Sequence, residues 1–200
     1  MAAFLDRWLD LAQRLARVAV WCAGALMLAA ALLVSVDVLM RKLLVVSLGG
    51  ADELSGYAFA IATAWALAFT LLQRANVRVD ALYVHLPGTA RLVLDIAALL
   101  ALGVFVGLLT WQAWDVLDTS IAFDAHATTP LQTPLWIPQS LWLAGLLLFA
   151  FAWVPLLLRA LVAIVGGDAA GARRLIGARS IEEEAAAEIS HASGLKQPAS

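Results

Sequence analysis

The chain has 200 residues, 63% of them hydrophobic and 14% charged, with a formal net charge of −2 and a mean hydropathy of +0.88. A water-soluble domain is about half apolar and about a quarter charged, so both departures point to a surface that faces lipid. The balanced charge leaves no footprint for nucleic acid, and the single cysteine, Cys22, allows neither an intrachain disulfide nor a thiol-pair redox motif.

Residues 4–17 have helical spacing, with Asp6, Asp10, Gln13, Arg14 and Arg17 on one face and Leu5, Trp8, Leu9, Ala12 and Leu15 on the other. Two readings stand: an amphipathic helix lying in the headgroup region, or a plain extension of the helix that follows. Four runs then reach the roughly 20 apolar residues needed to cross the hydrocarbon core. They cover about 18–40, 54–72, 92–116 and 141–165. The first is too long for the core of a signal peptide and is expected to stay as a span. Backbone groups in lipid must find partners within the segment, so each run is expected to be a helix. The fold class is therefore an all-α integral membrane protein, four transmembrane helices with short interfacial amphipathic helices. Residues 1–17 form the N-terminal interfacial segment, 18–165 the membrane domain and 166–200 a polar tail on the cytoplasmic side.

Polar residues within and beside the spans are few. Asp37 precedes Arg41 by four residues and Asp95 follows Arg91 by four, spacing that favours ion pairs on one helix face. A carboxylate inside a span is otherwise a proton or ion site. Asp52 and Glu53 open the second span, where carboxylates complement the helix dipole or meet another subunit at the membrane surface. Gly56, Ala60, Ala64 and Ala68 repeat every fourth position, and Gly103 and Gly107 do so in the third span. Such faces allow close helix approach, though an alanine-rich chain produces the pattern by chance as readily.

The link after the second span, Arg74-x-Asn76-Val77-Arg78-Val79-Asp80, reads either as an anchor in the headgroups or as a docking segment. Val79, Leu82, Tyr83 and Leu86 give residues 77–86 an apolar stripe, ended by the turn Pro87–Gly88. Pro130, Pro134 and Pro138 are expected to keep the approach to the fourth span extended and non-helical. Ser180 and Glu183 fit a capping box for a short helix over 181–189.

Arginines gather in three places: before the first span, in the link between the second and third, and after the fourth. The link between the third and fourth spans has none, which places both termini in the cytoplasm. Trp111, Trp114, Trp136 and Trp142 suit the outer interface. Arg41 and Lys42 are the discordant pair, since they fall on the outer side. None of His85, His126 and His191 lies in a span, so no haem, metal or other cofactor is expected.

These pieces, in their order and spacing, resemble the small membrane subunit of TRAP transporters, the DctQ type, over residues 15–165. The carriers are Asp52-Glu53-Leu54, Trp65, Arg74-x-Asn76-Val77-Arg78-Val79-Asp80, Leu86-Pro87 and Pro134-Leu135-Trp136-Ile137-Pro138. The chain departs from the pattern at Gly49-Gly50-Ala51, Asn76 and Ala68-Phe69-Thr70, where the family often has tryptophan, histidine and glycine. The resemblance implies a tripartite, sodium-coupled importer of an organic acid anion in the bacterial inner membrane. A periplasmic solute-binding protein delivers the solute, and a large membrane subunit carries it. This chain is then a scaffold with no catalytic or substrate-binding residue. Partner-interface candidates are Asp52, Glu53, Gly56, Ala60, Trp65, Arg74, Arg78 and Asp80, with membrane lipid as a further partner. Two alternatives stand beside it: a self-contained homodimeric transporter using Asp37, and a membrane anchor of a redox complex.

Overall fold

The computed structural model describes residues 2–75 and 87–177. Four long helices, α1 (Ala2–Leu44), α2 (Ala51–Leu72), α3 (Gly88–Ala122) and α4 (Trp136–Val165), are each long and apolar enough to cross a membrane. A short α5 (Ala169–Ile176) follows. The stripe over 77–86 and the capping box at Ser180 lie outside the described residues.

The two readings of residues 4–17 resolve into one continuous helix. Leu5, Leu9, Ala12, Ala16, Ala19 and Ala23 are all buried. Their alternating steps of four and three make a single inward stripe with no break where the apolar run begins. At 1.5 Å per residue α1 is about 65 Å long, about twice the hydrocarbon thickness of about 30 Å. Asp6 reaches the far end of α4, where its Oδ1 accepts from Arg159 Nε at 2.9 Å.

Helix α4 is the axis of the molecule. It packs against α1 and α2, which form an antiparallel pair, and carries α3 as well, while α3 packs on α4 and α5. The same device makes both of the long seams. Against α2, Trp65 Nε1 donates to the Leu141 carbonyl at 2.7 Å. Gly145 lies so close that a Cβ there would sit 2.5 Å from the Trp65 ring and 2.8 Å from the Ala64 backbone. Against α3, Trp153 Nε1 donates to the Leu99 carbonyl at 2.9 Å. A Cβ on Gly103 would stand 2.2 Å from the Trp153 ring. Lipid offers no hydrophobic drive between helices, so close approach and an indole hydrogen bond hold the seams. Gly107, by contrast, faces open space.

The α1–α2 turn and the α3–α4 loop lie at one end of the bundle, and α1 begins and α4 finishes at the other. The loop is not the extended, stiff segment the prolines suggested. Ala127 N–H donates to Thr133 O and Leu135 N–H to Ala125 O, both at 3.0 Å, which folds residues 125–135 back on themselves. Gln132 takes a left-handed φ of 46° at the reversal. Pro138 lies within the first turn of α4, where its missing N–H removes no intrahelical bond. Pro155 also lies inside α4, buried.

The start of the tail is ordered too. Asp168 caps α5 by accepting from Gly171 N–H at 2.7 Å. Buried Asp95 is engaged within the chain. Its Oδ2 would lie 3.3 Å from a Cβ at Gly177, just past α5. Helix α5 therefore packs on α3 with Gly177 close to Asp95.

Candidate partner interface

Two carboxylates organise the turn end. Asp37, 2% exposed, accepts on Oδ1 from Leu48 N–H at 2.7 Å and from the Ser47 hydroxyl at 3.0 Å. Arg41 takes its other oxygen, and Ser47 Oγ in turn accepts from Gly49 N–H at 3.2 Å. Gly49, at φ +72°, supplies the left-handed residue that lets the chain turn into α2. The i,i+4 pairing expected of Asp37 and Arg41 is present, and it accounts for the discordant cation: Arg41 is neutralised by its own helix.

Glu53, in the first turn of α2, is half-buried and turned toward the loop. Tyr57 donates to Oε1 at 3.0 Å, Thr129 donates to Oε2, and Thr133 lies against the same carboxylate. Leu131 fits over the backbone at Gly50, where a Cβ would meet its Cδ1 at 1.7 Å. Glu53 and Asp37 therefore serve as internal clasps, one for each connection at this end. The threonines and Leu131 were not singled out in the sequence, because only the folded loop brings them to α2.

Along α2 the four-residue repeat divides. Four residues advance a helix by about 40° beyond a full turn, so the repeat winds around the surface. Ala64 and Ala68 are buried at the α4 seam, while Gly56 and Ala60 are exposed. Nothing lies within 4 Å of a Cβ built at Gly56. With Asp52, Phe59 and Thr63, also exposed, they form one narrow stripe that points away from the core. Phe59 is 62% exposed; it and Thr63 join the stripe only once the inward face is known. Trp65 is half-buried and committed to Leu141. Arg74 is engaged within the chain at φ 55°, and Arg78 and Asp80 lie outside the described residues.

Among the described residues, no three His, Cys, Asp or Glu side chains come together as a metal site. The charged side chains buried there, Asp37 and Asp95, both have partners.

The sequence profile described as "Tripartite ATP-independent periplasmic transporters, DctQ component" matches residues 30–163, which take in α2, α3 and nearly all of α4. The chain belongs to the DctQ family. It is a multi-pass membrane component of a transporter and not an enzyme. No curated protein and no solved structure gives a significant match. The match starts within α1, at residue 30, so the long N-terminal part of that helix lies outside the matched residues.

Proposed function

We propose that this DctQ component is the scaffold of a sodium-coupled importer of an organic acid anion in the bacterial inner membrane. Its termini lie in the cytoplasm and its turn end faces the periplasm. A large membrane subunit docks along the open α2 stripe of Asp52, Gly56, Phe59, Ala60 and Thr63, and a periplasmic solute-binding protein delivers the anion to that subunit. The observation that carries the reading is the use of the buried carboxylates. Asp37 is saturated by a turn and Asp95 has a partner within the chain, so neither is left to bind a solute or a proton in the span. The small residues at Gly56 and Ala60 suit close helix approach. Arg74, Arg78 and Asp80, in the link that follows α2 in the sequence, supply further contacts to that subunit.

Reconstitution tests it. Proteoliposomes holding this chain alone take up no organic acid under a sodium gradient, and uptake requires the large subunit and the binding protein. Sodium-driven uptake by the isolated chain would end the scaffold reading. Alanine at Arg74 or Asp80 lowers co-purification with the large subunit more than it lowers folding of this chain; equal losses would make the link purely structural.

A further inference from the structure

The scaffold role leaves one groove unused, at the end where α1 begins. It holds about 430 Å³ and is lined by Phe4, Arg7, Trp8, Leu11 and Phe151. Phe4 meets Trp8 edge to face at 6.0 Å between ring centroids, and Trp8 meets Phe151 at 5.5 Å. The groove has a depth gradient. The Asp6–Arg159 ion pair sets the charged level, and Phe151, eight residues back along α4, lies about 12 Å deeper. One mouth is therefore polar and the other end apolar.

Two donors at this groove have no acceptor. Arg7 is exposed and has no ion pair among the described residues. Trp8 Nε1 is shielded from solvent and has no hydrogen-bond partner, where a buried indole N–H normally has one. From Arg7 the exposed surface of α1 continues through Leu11, Arg14 and Val18 to Trp21, which is 76% exposed. It runs along one helix face toward the bilayer centre.

We propose that this groove seats an anionic phospholipid, its phosphate on Arg7 and one acyl chain along Trp8, Leu11 and Phe151. A guanidinium matches phosphate oxygens with paired donors. A soluble anion leaves the aromatic walls bare; a purely apolar chain leaves Arg7 unanswered. A phospholipid satisfies the guanidinium and the walls together, and basic side chains at a membrane surface favour anionic headgroups.

The test is native mass spectrometry of the full chain in neutral detergent. It is offered phosphatidylglycerol, phosphatidylcholine with the same acyl chains, and inorganic phosphate. Phosphatidylglycerol is retained about fivefold better than phosphatidylcholine, the worth of about one basic residue at the surface. Arg7→Gln removes that preference at an unchanged melting temperature, and Arg7→Lys, which keeps the charge, stands between. Trp8→Phe, which keeps the aromatic wall, weakens retention less than Arg7→Gln does. Arg17→Gln, on another part of the helix surface, leaves retention as it was. Equal loss from Arg7→Gln and Arg17→Gln would reduce the site to diffuse surface charge and overturn the proposal. Competition by inorganic phosphate at the same concentration, or loss of the lipid once the large subunit is bound, would overturn it as well.

Discussion

The two ends of α2 are built on opposite principles from its outward flank. At its start, polar groups are spent inside the chain: Glu53 holds the α3–α4 loop, and Asp37 holds the turn that leads in. Toward its end, Ala68 and Leu71 are buried in the apolar core. On the flank between, Gly56, Ala60 and Thr63 are small and exposed beside the single large side chain of Phe59, and Gly56 faces open space. The outward face of α3 is bulkier, with Val104, Phe105 and Leu108 exposed within about one and a half turns. The contrast separates residues that shape this chain from residues available to another.

The sharpest way to break that division is at the α2–α4 seam. Gly145→Leu drives a side chain into Trp65 and the Ala64 backbone. Overpacking of this kind costs about 1–3 kcal/mol and more where backbone must shift, so the variant is expected to lose its monodisperse peak on size exclusion. Asp37→Ala comes next. It leaves Leu48 N–H, Ser47 and Arg41 without their acceptor, and the melting temperature in detergent falls by more than with any change at Glu53. Asp37→Asn, which keeps one acceptor oxygen, falls between wild type and alanine. A transporter that used Asp37 for coupling would instead lose activity in Asp37→Asn at an unchanged melting temperature.

Glu53→Ala and Thr129→Val have smaller effects, and their double variant is no worse than Glu53→Ala alone, because loss of the carboxylate already cuts the Thr129 bond. Independent, additive losses in thermal melts would mean that the clasp does not form. At the bottom of the scale, Ala60→Leu leaves the melting temperature of the isolated chain within about 1 °C, since surface changes away from packed features are near neutral. The same variant is expected to abolish co-purification with the large subunit. A stable chain that still binds its partner would move the interface elsewhere.

Much of this architecture was legible in the sequence. Span number and approximate position follow from apolar length, because lipid tolerates only helices with internally bonded backbones. The likeness to the DctQ family rested on short pieces in order, and the family match confirms it. The pairing of Asp37 with Arg41 was readable too, because spacing along one helix fixes which side chains meet. What the linear pattern left undecided was how the helices face one another. Gly56 and Ala64 belong to one repeat, yet one is open and the other sealed against Gly145. Glu53 read as a surface carboxylate until the loop folded over it, and three prolines suggested stiffness where two backbone hydrogen bonds close a hairpin.

Hydrophobicity and helical period are local properties, and they determined by themselves that this chain is a membrane bundle with four spans and few charges to spare. Only the tertiary structure decided which small residues and carboxylates are consumed inside the chain and which remain exposed. The reason is that the bilayer gives apolar side chains no preference between lipid and protein, so facing is set by shape and hydrogen bonding across seams far apart in sequence.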